Sequence, residues 1–329
     1  MEFLRFTIND IIKTIRDRKL FKSNRARIKN KYRRWDYSMR LATIKLNGLE
    51  EGGIVTAKGI IPINAINRRY DMAWEADIYG IIKSGQLEKI NNWYRDGGRE
   101  ELEEFNSDVI SIDKAQFAPL YRHPRKIFGI GLNYVDHASD LNEKAPNREP
   151  ASFFKPDTTI IGHGDNIKIP VQSEKTTAEA ELGVILSKEC KNVERKDWLN
   201  VIAGFTTIID MTAEDILRKN PRYLTRAKSF DTFFSFGPQL ITPDEIEDVL
   251  KLKVATVING KIYAQNFVAN MNFPPDYLVS FHSKVMTMMP GDIISTGTPR
   301  ATPIKHGDVV ECWIDGFQPL VNPVIDKKL

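Results

Sequence analysis

The sequence predicts a mixed-β protein of the α+β class, and three observations carry that expectation. Short apolar runs recur between Gly and Pro residues along most of the 329 positions. Two of these runs are joined by Asn259-Gly260, a strong hairpin signal because a type I′ turn needs positive φ at both central positions. The strand-like runs do not alternate regularly with long helical patterns, which argues against a doubly wound parallel sheet.

Taken in order, the chain divides into a basic tail (residues 1–38), a small α+β domain (39–118) and a larger strand-rich domain (119–329). The tail opens with an amphipathic, helix-prone piece (Phe3, Leu4, Phe6, Ile8, Ile11, Ile12, Ile15) and continues into the basic run Lys29–Arg34. It lacks the apolar core and small-residue cleavage site of a secretory signal, and Glu2, Asp10 and Asp17 argue against a mitochondrial presequence. It reads as a solvated or dimer-packing extension, or else as a polyanion- or membrane-surface element. The second part starts with short strands around Leu41–Leu46, Ile54-Val55 and Ile60-Ile61, and continues with helical stretches at Trp74–Lys83 and Leu87–Tyr94. In the third part the expected strands are Lys126–Leu132, Ala151–Phe154, Ala178–Leu186, Gly204–Ile209, Leu252–Ile258, Asp292–Thr296 and Val309–Ile314. Short helices are expected at Asp197–Ala203 and Pro275–Lys284.

Composition narrows the function classes. With 42% hydrophobic and 27% charged residues the chain reads as an ordinary globular protein. No apolar stretch approaches the roughly 18 residues of a spanning helix, so no membrane partner is expected. Cys190 and Cys312 are the only cysteines, which suggests a reducing compartment and a cytoplasmic location. Residues 1–38 hold twelve Lys/Arg against four Asp/Glu, a net of +8; since the whole chain is +4, the remainder carries −4. That body lacks the basic excess that neutralises phosphates, so no nucleic-acid partner is expected for it. Gly129-Ile130-Gly131 lacks the third glycine of a dinucleotide fingerprint, and there is no P-loop or Cys/His zinc spacing.

Three constellations carry chemistry. In Thr177–Leu186, strand alternation puts Glu179 and Glu181 on one face, about 6.6–6.8 Å apart along the backbone, while Leu182, Val184 and Leu186 point the other way. The pair is either the solvent face of an antiparallel strand or one half of a cation site, since two like charges there repel unless a cation sits between them. Asp210 ends the apolar run Gly204–Ile209. It is either the N-cap of a helix over Met211–Leu217 or a third carboxylate ligand for a hard divalent ion. His137 and Asp140 are three apart after an apolar strand, a spacing that brings them together on one helical face. A carboxylate that orients an imidazole raises its basicity and suits it to abstracting a proton from water.

The segments Lys126–Asp140 (KIFGIGLNYVDHASD), Ser152–Pro156 (SFFKP), Glu179–Leu186 (EAELGVIL), Gly204–Asp215 (GFTTIIDMTAED), Lys228–Pro238 (KSFDTFFSFGP) and Pro290–Pro299 (PGDIISTGTP) follow one another in an order that resembles the fumarylacetoacetate hydrolase family. The resemblance covers about residues 119–324, and the 39–118 part is similar to the small N-terminal domain of bacterial and archaeal members. It implies a β-sandwich roll that works as a homodimer. It also implies one Mg²⁺ or Mn²⁺ held by Glu179, Glu181 and Asp210, with His137, Asp140 and Lys228 as catalytic groups and Tyr134, Lys155, Arg226 and Thr298 around the substrate. Three departures stand out. Asp140 is one methylene shorter than the usual Glu, Ala178 stands where a Tyr is common, and Glu214 replaces an Arg four residues after the metal Asp. Arg222 or Arg226 could supply the charge missing at Glu214.

The implied reaction is hydrolysis of a carbon–carbon bond in a small 2-oxo or β-diketo acid, such as an acylpyruvate, through an enolate that the metal stabilises. Oxaloacetate-type decarboxylation and 2-hydroxydienoate isomerisation use the same site. A non-catalytic, metal-binding protein of the same fold is the alternative from another class.

Overall fold

The apolar runs become two β-sheets in a computed structural model that describes residues 39–134 and 148–329. In chain order the strands are β1 Arg40–Leu46, β2 Leu49–Val55, β3 Ile60–Pro62, β4 Ile127–Gly131, β5 Ala151–Phe154, β6 Ile160–Ile161, β7 Ile167–Ile169 and β8 Thr176–Leu186. There follow β9 Ile202–Ala213, β10 Phe234–Ile241, β11 Lys253–Ile258, β12 Lys261–Phe267, β13 Ile293–Ser295, β14 Thr302–Pro303, β15 Val309–Ile314 and β16 Leu320–Asp326. The larger sheet runs β3-β2-β1-β10-β9-β8-β13-β4-β5, with β6 added to β10 and β14 to β8; the smaller runs β12-β11-β15-β16-β7. The α+β, sheet-rich class expected from the sequence is the one observed.

The two faces of the larger sheet bury different partners. Ala178, Ala180, Leu182, Val184 and Leu186 of β8 pack in one core with Val254, Val310, Cys312 and Leu320 of the smaller sheet. Ile185, Ile208, Phe234 and Phe236 face the other way and share a second core with Leu41, Ile54, Ile66, Ile81 and Ile90. The N-terminal strands extend the same sheet, with β1 antiparallel to β10 in the register Arg40↔Ile241. The hydrogen-bonded sheet thus crosses the 118/119 position, and the described residues all fall within one compact unit, Ser38–Leu329.

Local chemistry explains the element ends. The helix expected from Trp74 begins at Ile78, because the Asp77 side chain caps it by accepting from the Gly80 N–H at 2.7 Å. Asn259 and Gly260 take φ of 52° and 76° and join β11 to β12, as the hairpin signal required. Pro at the first position opens the helix Pro275–Val285. Two expectations are corrected. Asp197–Ala203 is a 3₁₀ turn over Arg195–Val201 that runs straight into β9. Asp210 caps no helix: β9 is paired on both sides, with β8 and β10, and stays extended to Ala213, so the helix starts only at Glu214. Among the described residues no helix is long and apolar enough to cross a membrane.

Candidate metal centre

The antiparallel register of β8 and β9 sets Glu179 directly opposite Asp210, and Glu181 lies two residues along on the same face. One carboxylate oxygen from each of the three lies within 4.8 Å of the others. Glu179, Glu181 and Asp210 are only 7%, 2% and 1% exposed, which overturns the solvent-face reading of the pair: β8 is an interior strand whose eleven residues are all buried. Buried carboxylates must be matched by cations or donors, and each one here is. Lys228 Nζ, at the end of the helix Leu224–Lys228, donates to Glu179 Oε2 at 2.9 Å and to Asp210 Oδ2 at 2.6 Å. Lys155, just after β5, donates to Asp210 Oδ1 at 2.5 Å. Thr212 Oγ1 donates to Glu179 Oε1 at 2.8 Å, while Ser295 Oγ and the Gly297 N–H donate to Glu181 Oε2 at 2.5 and 2.8 Å.

The electrostatics follow from three buried carboxyl groups facing two buried lysines. Burial pushes the Glu181 carboxyl up to about 8, and the neighbouring Asp210 and Glu179 charges add to the shift. Burial also works to raise Asp210, but Lys155 and Lys228 outweigh it and hold the carboxyl below its ordinary range. For the lysines the balance differs. Burial dominates at Lys155 and lowers it to about 8 despite Asp210. At Lys228 burial is overcome by Asp210 and Glu179, and the ammonium is held charged. A converging, oxygen-only set with one more carboxylate than ammonium suits a hard divalent cation such as Mg²⁺ or Mn²⁺. The residues present therefore fit the ion that the sequence implied.

The other expected residues are placed unequally. His137 and Asp140 lie outside the described residues. Tyr134 is fully buried among the residues between the two sheets, its hydroxyl without a hydrogen-bond partner among the described residues. Burial, with Glu181 adding to it, raises its pKa. Thr298 is buried next to Gly297, and its hydroxyl accepts from the Arg300 N–H at 3.4 Å and lies 3.2 Å from the Arg300 carbonyl. Arg222 and Arg226 are exposed. Glu214 is buried and clamped by Lys175 at 2.9 Å and Arg218 at 2.5 Å, so its negative charge is neutralised within its own cluster. Sequence reasoning passed over Thr212, Ser295, Gly297 and Phe153. All four lie inside the quoted segments, but their roles depend on neighbours that are distant in sequence. The Phe153 ring sits 5.0 Å from Lys228 Nζ and lies over Gly129, where a Cβ would come within 2.2 Å of it.

The model of the fumarylacetoacetate (FAA) hydrolase C-terminal region matches residues 126–325. The chain belongs to the fumarylacetoacetate hydrolase family. Over 226 residues this family member is 41% identical to an uncharacterized protein of Archaeoglobus fulgidus, covering 68% of this chain and 88% of that one. Over 229 residues it is 35% identical to a mitochondrial oxaloacetate tautomerase of Xenopus laevis, covering 67% of this chain and 72% of the relative. A maleylpyruvate hydrolase from Sphingobium, solved with manganese(II) and pyruvate, superposes with a TM-score of 0.71 at 25% identity, covering 88% of this chain and 99% of that chain. The fumarylacetoacetate hydrolase fold and the acidic trio thus stand together in this chain.

Proposed function

We propose that this protein is a divalent-cation-dependent enzyme that acts on a small 2-oxo acid through its enol form. The observation that carries the reading is the convergence of Glu179, Glu181 and Asp210 in a buried site shared with Lys155 and Lys228. Mg²⁺ or Mn²⁺, held by the three carboxylates, would supply positive charge for the oxygens of a chelating 2-oxo acid. The chain's own groups do the rest. Lys228 adds a fixed positive charge beside the enol oxygen, a contact of a kind worth about 3–4 kcal/mol. Lys155, with its pKa lowered to about 8 by burial, can give and take a proton near neutral pH. The Phe153 ring, 5.0 Å from Lys228 Nζ, covers that second lysine on one side.

Proton movement between keto and enol forms is the reaction we favour, and the 35% identity to an oxaloacetate tautomerase supports it. The test follows the decay of enol oxaloacetate with Mn²⁺ or Mg²⁺ present and again after chelation. Acceleration over buffer that disappears with the metal is the expected result; no acceleration by metal-loaded protein refutes the tautomerase reading. Carbon–carbon bond hydrolysis is the second reading, supported by the likeness to a maleylpyruvate hydrolase. It assigns water activation to His137 with Asp140, and it requires pyruvate to be released from an acylpyruvate. Silence across oxaloacetate, acylpyruvates and 2-hydroxydienoates would favour a binding protein instead.

A further inference from the structure

One peptide unit joins the metal trio to the end of β4. The carbonyl of Thr296 and the N–H of Gly297 belong to the same planar amide and point in opposite directions. The N–H donates to Glu181 Oε2 at 2.8 Å. The carbonyl accepts from Asn133 Nδ2 at 2.7 Å. Asn133 and Glu181 therefore grip the two ends of a single amide dipole. A donor on the carbonyl polarises the unit and strengthens what its N–H gives away.

Asn133 is itself held on every side. It is fully buried. Its Nδ2 also donates to the Phe273 carbonyl at 3.0 Å, and its Oδ1 accepts from the Phe273 N–H at 2.9 Å. Its own carbonyl accepts from the Asn272 N–H at 2.8 Å. The fit to the amide is close. Gly297 has φ +96°, and a Cβ there would lie 2.8 Å from the Asn133 Cβ and 3.0 Å from the Ile130 carbonyl oxygen. Leu132, one residue before Asn133, takes φ +56°, a left-handed conformation that costs a branched side chain of order 1 kcal/mol and persists only where its surroundings impose it.

We propose that Asn133 is a positioning residue for Glu181, acting through the Thr296–Gly297 amide to aim the carboxylate at the ion. This rests on the reading of Glu179, Glu181 and Asp210 as ligands of a divalent cation. The test is calorimetric titration of the full chain with Mn²⁺, with folding checked by circular dichroism. Asn133→Leu is compared with Asn133→Ser, which leaves room for a water to replace the lost donor. Asn322→Leu serves as the control, because Asn322 is equally buried and bonds to Gly162, Asp165 and Ser235 elsewhere in the fold. We expect Asn133→Leu to weaken Mn²⁺ binding up to about tenfold, the lower end of the loss seen when a direct partner of a metal ligand is removed, because the Gly297 N–H that bonds Glu181 stays in place. Asn133→Ser is expected to fall between it and wild type, and Asn322→Leu to bind as wild type does. If Asn133→Leu does not fold, Asn133→Ser alone decides, by weaker or unchanged binding. Unchanged binding in the Asn133 variants, or equal loss in the control, overturns the role of Asn133 and leaves the metal site standing. A wild-type chain that takes up no Mn²⁺ refutes the metal site itself, and the role of Asn133 with it.

Discussion

Replacing Lys228 with Met tests the charge balance of the site most directly. The ammonium bridges Glu179 and Asp210 at 2.9 and 2.6 Å and is 5% exposed, so its loss leaves buried carboxylates short of a cation. Removing one partner of a buried pair costs about 3–5 kcal/mol. Asp210 keeps Lys155, whereas Glu179 is left with the Thr212 hydroxyl and no cation among the described residues, so the metal-free variant is expected to lose an amount within that range. Metal binding should move the other way. An ammonium and a divalent ion on the same carboxylates are like charges, and at 4 Å with an effective permittivity of about 20 each unit pair repels by about 4 kcal/mol. Relieving a third of one such term is about tenfold in affinity. Lys228→Met is therefore expected to unfold at lower urea without metal, to bind Mn²⁺ at least about tenfold more tightly, and to turn over more slowly. At a fixed Mn²⁺ concentration each tenfold gain in affinity narrows the stability gap by about 1.4 kcal/mol. The assay is urea unfolding with and without Mn²⁺, beside calorimetry. A variant as stable as wild type without metal, or one that binds Mn²⁺ more weakly, refutes the charge argument.

Other expectations follow from the same geometry. With its carboxyl at about 8, Glu181 carries a proton at pH 7 that a divalent ion must displace. Mn²⁺ binding should release most of one proton and tighten as pH rises towards 8; heats of binding that do not depend on the buffer would contradict this. The same group bears on stability. Its folded pKa lies above the ordinary 4.5, so its contribution is fully present below about pH 4.5 and is lost as pH rises through about 8. Urea midpoints of metal-free protein measured across that window report the loss. Gly129→Ala puts a Cβ 2.2 Å from the Phe153 ring. Overpacking of this kind costs about 1–3 kcal/mol, and turnover should fall as the ring leaves Lys228; an unchanged midpoint and rate would show that the ring has room to spare. Glu214→Gln should cost only about 0.5–1 kcal/mol in urea unfolding, because its partners Lys175 and Arg218 are 44% and 58% exposed. A large loss of Mn²⁺ affinity in that variant would place Glu214 in the metal site after all.

Much of this protein was legible one segment at a time. The Asn259-Gly260 hairpin depends on the φ angles that two adjacent residues tolerate. Placing Glu179 and Glu181 on one face needs only the alternation of a strand. The helix Pro275–Val285 announces itself with a proline at its start. These features are local, and local chemistry decides them. The site also left local traces, because its ligands and lysines sit in short motifs whose order along the chain resembles one family. What the strand pattern could not supply is which strand lies beside which. The sequence left Asp210 as either a ligand candidate or a helix cap, and the cap reading falls because β9 pairs on both sides and stays extended past it. Packing of the larger sheet between two cores buries both faces of β8, turning an apparent solvent face into a charged pocket. Lys155 and Lys228 reach the carboxylates from segments 55 and 18 residues away from Asp210, and Asn133 reaches Thr296 across 163 residues. Periodicity is a property of one segment, whereas register, burial and charge compensation belong to pairs of segments. Backbone groups that a lone strand leaves unsatisfied find their partners only when the sheet assembles, and that assembly is what brings the three carboxylates of the candidate site together.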